Sequence, residues 1–232
     1  MNDQQLIKIA FFVEGQTERI FVEKFLEEYI GTHNFTLLSQ KYRGNKGIER
    51  IYEKTNPLAK FFVLIYDVGG DGGVSSRLWE QAERMIKGSG YSYLIGLRDL
   101  YPAKQDQRDR VISTFYKKFD NSDYKYRIKY ILAIMEIEAW FLLDRNLFIE
   151  MAKRPNDIEC LLNNECTELY PHPSKLIDQI LRLIGKEYKK NESDSYKITN
   201  EINFTHLCCS EEIRAKSESW HCFIECVNDC FS

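Results

Sequence analysis

The chain has 232 residues, 44% of them apolar and 29% charged, with a formal net charge of −3. That length suits one large domain, or one with a smaller appendage, around a substantial core. The charge balance excludes a surface that is cationic all over, so any nucleic-acid binding must come from a local basic patch or through metal ions.

In chain order, residues 7–13 (IKIAFFV) predict a strand. Residues 17–29 predict a helix, with Ile20, Phe21, Phe25, Leu26 and Tyr29 at helical spacing. A second strand is expected over 35–41 and a weaker helix over 46–58. The run FFVLIY, 61–66, is apolar throughout, as in a strand covered on both faces. Gly69, Gly70, Gly72 and Gly73 break it, and Ser75 or Ser76 is expected to cap a helix that ends at Gly88-Ser89-Gly90. A strand over 91–97, a helix over 105–119 and a strand over 127–135 follow. A helix is expected to start at 137–143.

After Asp144 the strand signals cease. Residues 174–188 predict a helix through Leu176, Ile177, Ile180, Leu183 and Ile184. Residues 191–195 look like a polar linker, and the chain from His206 looks helical. Strands alternating with helices imply an α/β fold with a mainly parallel sheet and right-handed crossovers.

No apolar run is long enough to cross a bilayer; the longest, 130–143, is interrupted by Glu136 and Glu138. The start, MNDQQL, lacks the basic and apolar regions of a signal peptide, so a cytoplasmic location is expected. The seven cysteines (Cys160, Cys166, Cys208, Cys209, Cys222, Cys226, Cys230) are an odd number clustered late in the chain, which favours reduced thiols. Cys222, Cys226 and Cys230 fall on one helical stripe. Core packing suits them better than a zinc site with His206 or His221, because no C-x-x-C pair exists.

The strand ends carry the chemistry. The first ends at Glu14, the third at Asp67, the fourth at Asp99, and the last runs into Glu136 and Glu138. The carboxyl ends of parallel strands share the edge where ligands bind. Asp71, on a glycine-rich loop, and Glu18, in the first helical turn, can face the same edge. Carboxylates so crowded repel one another unless a cation lies among them, and hard divalent cations take oxygen ligands. Each acid also has a plain structural use: Glu18 complements a helix dipole, and Asp67 and Asp99 suit turns. A basic neighbour such as Arg98 would satisfy Glu136 and Glu138 in their apolar setting.

The stretch F-V-E-G-Q-T-E before a helix, with acidic strand ends downstream, resembles the Toprim domain of topoisomerases, primases and OLD-family nucleases. VEGQTE, IYDVGGDGG, GLRDLYP and MEIEAWF together resemble a family of bacterial Toprim-like proteins found in phage-defence loci beside an ABC-type ATPase. His172-Pro173 and Tyr188-Lys189 also match that family's pattern, so the resemblance runs from residue 7 to about 190.

It implies a Toprim-like, Rossmannoid domain over 1–145 with a helical region, 146–232, packed on it. It also implies metal-dependent phosphodiester chemistry. Glu14 matches the family glutamate, and Glu18 the second acid of the nuclease branch. The usual Asp-x-Asp is replaced by Asp67-Val-Gly-Gly-Asp71 and a lone Asp99, which leaves open which aspartate holds metal.

The expectation is a nuclease using one or two Mg²⁺ or Mn²⁺ ions, acting on RNA such as tRNA, or on DNA, as a toxic effector of phage defence. An ABC-type ATPase is the expected partner, and a homodimer a further expected assembly. Glu14, Asp67, Asp71 and Asp99 are the main ligands; Glu18, Glu136 and Glu138 support them or hold a second ion. Arg43, Arg98, Lys189 and Lys190 are candidates for phosphate contacts. The alternative is a non-catalytic subunit whose acidic rim holds a structural cation or meets a basic surface on the ATPase. A flavodoxin-like or phosphate-binding receiver is disfavoured, since neither G-x-G-x-x-G nor the Lys-Ser/Thr of a P-loop is present.

Overall fold

The computed structural model describes residues 6–70 and 73–232. Among them, six strands form one sheet: β1 (Ile7–Val13), β2 (Phe35–Tyr42), β3 (Ile48–Lys54), β4 (Phe61–Asp67), β5 (Tyr91–Asp99) and β6 (Ile128–Ala133). Their order is β3-β2-β4-β1-β5-β6, and every neighbouring pair is parallel except β2 with β3. The helices are α1 (Gln16–Phe25), α2 (Gly73–Glu83), α3 (Arg108–Lys117), α4 (Glu138–Phe141), α5 (Arg145–Ala152) and α6 (Pro155–Leu161). Then come α7 (Pro173–Arg182), α8 (Glu192–Thr199), α9 (Phe204–Cys209), α10 (Glu211–Ala215) and α11 (Glu218–Phe231). No helix among the described residues is long and apolar enough to cross a membrane.

The central strand shows why the sheet is covered on both sides. Successive residues of a strand point to opposite faces. Ile9, Phe11 and Val13 enter one apolar cluster, Ala10 and Phe12 the other, and all five are buried. The first cluster takes in α1 and the late helices. The rings of Phe21, Phe25, Trp140, Trp220 and Phe223 pack together there, so α1, α4 and α11 share one core. α2 and α3 cover the opposite face, where Phe115 stacks on Tyr130 with centroids 3.8 Å apart.

That second face leaves no room at Gly96. A Cβ there would lie 2.8 Å from Tyr130 Cδ2 and 3.1 Å from Leu78 Cδ1, and the Tyr130 ring is backed by Phe115. Gly96→Ala is therefore expected to cost about 1–3 kcal/mol, the usual range for overpacking. A thermal melt should fall by several degrees.

Four expectations are corrected. Residues 46–58 hold a strand, β3, in place of a helix. The chain turns back through Gly47, whose φ of 79° suits glycine, and Arg43 N–H donates to Gly47 O at 2.8 Å. The polar tract 191–195 opens α8, where the Asn191 side chain accepts from Asp194 N–H. The helix expected over 174–188 stops at Arg182, and Gly185, at φ 70°, turns the chain away. The last strand ends at Ala133 rather than 135, because Met135 takes a left-handed φ of 63°.

All seven cysteines are free thiols. Cys226 and Cys230 are buried in the first cluster, while Cys222 is half-buried beside Arg108.

Candidate active site at the carboxyl edge of the sheet

Strand register decides what shares the edge. Lys41 of β2 is level with Asp67 of β4, which is level with Val13 of β1, and Asp99 of β5 is level with Ala133 of β6. One residue past Val13, Glu14 lies in an open depression also lined by Glu18, Asp67, Asp99, Lys41, Arg43 and Lys190.

Each acid has a defined setting. Glu14 Oε2 accepts from Asp99 N–H at 3.2 Å and lies 4.0 Å from Arg98 Nε. Glu18, in the first turn of α1, accepts from Gly15 N–H at 2.9 Å. Asp67 is fully buried, accepts from Gly69 N–H at 2.9 Å and faces Lys41 Nζ at 3.2 Å. Asp99 accepts from Ile137 N–H at 2.8 Å. Glu136 accepts from Ser174 N–H at the start of α7, at 2.9 Å. Glu138, wholly buried, accepts from Tyr188 O–H at 2.9 Å. Asp71 lies outside the described residues.

Lys190 gathers three of these. Its Nζ is 3.0 Å from Glu138 Oε2, 3.2 Å from Glu136 Oε1 and 3.7 Å from Asp99 Oδ2. Gln16 fixes its backbone by donating to Lys190 O at 2.9 Å. Lys190 has a φ of 51° and Met135, just before Glu136, one of 63°. Left-handed backbone at non-glycine residues persists where the surroundings enforce it, and it concentrates at functional sites. Glu136 and Glu138 do not line the depression, and they meet it through Lys190.

The electrostatics follow from burial and crowding. Burial, then Glu138, pushes the Glu18 carboxyl up to about 7. Burial, with Glu18 and Glu138, holds Asp99 well above its usual range against the pull of Lys190. Glu138 is also raised, by burial first, with Lys190 opposing and Glu136 adding. For Glu136, burial is outweighed by Lys190 and the Ser174 N–H, so its carboxyl stays low. Lys190 is raised because Glu138, Asp99 and Glu136 outweigh its own desolvation.

The sign for stability can be worked out at Glu18. A folded pKa of about 7 against an ordinary 4.5 gives a contribution that is full below 4.5 and lost as pH rises through 7. Glu18→Gln keeps an acceptor for Gly15 and removes the charge. It is expected to stabilise the metal-free protein by about 2–3 kcal/mol near pH 8 and by almost nothing near pH 4.5. Urea unfolding at the two pH values checks this; equal effects at both would refute it.

The donors offer oxygen alone, the chemistry a hard divalent cation takes. Among the described residues, Asp67 Oδ2 and Glu138 Oε2 are buried with no aligned hydrogen-bond donor, and each faces a lysine ammonium. The donor set therefore fits Mg²⁺ or Mn²⁺ in kind. Among the described residues, however, no three His, Cys, Asp or Glu side chains are grouped as ligands.

The expected basic residues divide. Lys190 enters the cluster and Arg98 stands beside Glu14. Arg43 borders the depression while paired with Glu49. Lys189 is exposed and pairs with Glu187 at 2.7 Å. Lys41 was missed, although it ends a parallel strand by the same rule that found the acids. Tyr188 was missed too, and no local pattern marks it as a partner of Glu138.

Two solved structures are similar over nearly the whole chain. The C-terminal region of the Burkholderia pseudomallei OLD protein matches at 14% identity with TM-score 0.47, covering 98% of this chain and 100% of that one. The C-terminal region of the Xanthomonas campestris pv. campestris OLD protein matches at 14% identity with TM-score 0.46, covering 96% and 95%. No curated protein matches. A family model described as a domain of unknown function, DUF4276, matches residues 13–215, and the chain belongs to that family.

Proposed function

We propose that the carboxyl edge of the sheet is the centre of a Toprim-type, metal-dependent nuclease that hydrolyses phosphodiester bonds in RNA or DNA. The observation that carries this is the convergence of Glu14, Glu18, Asp67 and Asp99 from separate elements on one depression flanked by Lys41, Arg43 and Lys190.

Glu14, Asp67 and Asp99 would hold the cation, with Glu18 beside them. Mg²⁺ or Mn²⁺, when bound, supplies charge stabilisation at the phosphoryl group and lowers the pKa of water. The chain's own residues do the rest. Arg98 holds Glu14 from one side while its Nε donates to Asp99 O at 2.9 Å. Lys41 and Arg43 offer positive charge to a phosphate entering over β2. Glu18, with a carboxyl near neutrality, is suited to hold or release a proton at its Oε atoms at working pH.

The motif resemblance further supports a cytoplasmic effector of phage defence that partners an ABC-type ATPase, with a homodimer as its assembly. Incubating the purified protein with tRNA, plasmid and single-stranded DNA, with Mg²⁺, Mn²⁺ or EDTA, tests the central claim. Metal-dependent fragments are expected, and intact substrates throughout would sink it.

One observation favours a second reading. Lys190 already supplies three carboxylates with a positive partner, so the rim can be satisfied as a scaffold. In that case the protein is a non-catalytic subunit of the ATPase assembly.

A further inference from the structure

A second depression lies on the α2–α3 face of the sheet, and among the described residues its lining holds cations but no acid. Arg98, Arg110 and Lys118 supply the charge, with Ser75 and Thr114 as neutral polar groups and Tyr130 behind them. Arg110, Thr114 and Lys118 recur every four residues, so they form one stripe along α3 and its cap.

Among the described residues, neither Arg110 nor Lys118 has a carboxylate partner. Lys118 Nζ reaches only Ser75 Oγ, at 3.4 Å. Some exposed cations of this chain are paired, as Arg50 with Glu53 and Arg182 with Asp178, and others, such as Lys60 and Lys175, stand on the surface without a carboxylate partner among the described residues. What sets Arg110 and Lys118 apart is that both line one concave surface together with Arg98.

Its place matters more than its charge. Arg98 lines this depression and also lies 4.0 Å from Glu14, so it stands between the cation-lined cleft and the acidic rim. On the other side, Lys41 and Arg43 stand at the end of β2, three strands from β5. At about 4.8 Å per strand, positive groups flank Glu14 across roughly 14 Å of sheet edge. One helical turn beyond Ser75, on the same side of α2, Trp79 is 54% exposed. A bare indole beside a cationic groove is what single-stranded nucleic acid uses for stacking.

We propose that the cleft between α2 and α3, through Arg98, Arg110 and Lys118, holds the phosphate backbone of a single nucleic-acid strand on its way to the acidic rim, with Trp79 stacking on one of its bases. This rests on the nuclease reading for its destination, but not for its binding. Sequence preference is weak at such a site, because phosphate and the face of a base are common to all nucleotides.

Binding of fluorescein-labelled single-stranded DNA and RNA, read by anisotropy in EDTA at several salt concentrations, tests it apart from cleavage. Arg110→Gln/Lys118→Gln is expected to weaken binding about tenfold. It should also make the plot of log affinity against log salt shallower by about 1.4, the loss of two phosphate contacts. Trp79→Ala should weaken binding several-fold with the salt slope unchanged. These residues are exposed, so folding is expected to survive, and a thermal melt verifies it.

Wild-type protein that binds neither strand overturns the proposal, as does a double variant with wild-type affinity and slope. Binding that depends on Arg110 and Lys118 without any cleavage supports the cleft and sinks the nuclease. Cleavage with a KM indifferent to both residues does the reverse.

Discussion

Glu14→Gln is expected to leave the protein folded and to lower metal-dependent cleavage by a factor of about 10² or more, the scale of losing one charge-stabilising group from a catalytic centre. Glu14 directly follows the central strand, and β4 and β5 hold β1 on both sides. Its carboxylate accepts from Asp99 N–H and lies near Arg98. A glutamine oxygen can still accept that bond, so unfolding is not expected to hide the result. Only the negative charge goes, and with it the carboxylate that shares the depression with Asp67 and Asp99. Circular dichroism and a melt establish the fold, and single-turnover cleavage with Mg²⁺ and Mn²⁺ reads the effect. A folded Glu14→Gln protein that cleaves at the wild-type rate would remove Glu14 from the mechanism.

The legible parts of the sequence were those under a strong local constraint. IAFFV (residues 9–13) and FFVLIY are covered on both faces, so they are apolar throughout, and their ends could be read as strand ends. Because the acids follow those ends directly, the rim of Glu14, Asp67 and Asp99 could be assembled from one rule about parallel sheets.

β3 was missed because it is an edge strand with little burial on either face, so IERIYEK shows no clean alternation. Its isoleucines and tyrosine fit a helical spacing by accident. α8 was missed because its signal is mainly a cap. Asn191 starts it, and only Ser195, Ile198 and Thr199 are buried.

The role of Lys190 was out of reach for a different reason. Its three carboxylates lie 52 to 91 residues away in the chain. Only the turn after Gly185 and the docking of α8 on α1 bring its ammonium to them. Thr17 and Ser195 share a hydrogen bond at 3.1 Å across that contact. Arg19 ties the same two helices through Glu192 and also pairs with Glu23 on α1.

Lys190→Met is the substitution that separates a metal centre from a scaffold. It keeps the length of the side chain and strips Asp99, Glu136 and Glu138 of their shared cation. Breaking a fully buried ion pair costs about 3–5 kcal/mol, because the remaining charge is stranded. The Lys190 side chain is 35% exposed, so water softens the loss, and about 2–3 kcal/mol is the expected figure. The melting temperature should fall by roughly 5–10 °C near pH 8, at 2–4 °C per kcal/mol for a chain of this size.

The loss should shrink towards about pH 5. Without Lys190, Glu138 and Asp99 keep the burial that already raises them and lose the cation opposing it, so they protonate more readily. The response to metal then decides. If the rim binds a divalent cation, millimolar Mg²⁺ or Mn²⁺ should restore most of the lost stability near pH 8, since a ligand of the folded state alone stabilises it by mass action. If the rim is a scaffold, the variant should stay destabilised with or without metal, and EDTA should leave wild type and variant unchanged. Calorimetry at the two pH values, with and without the ion, distinguishes them. No metal-dependent recovery, combined with intact nucleic acid in the cleavage assay, would leave Lys190 as the permanent cation of a structural knot.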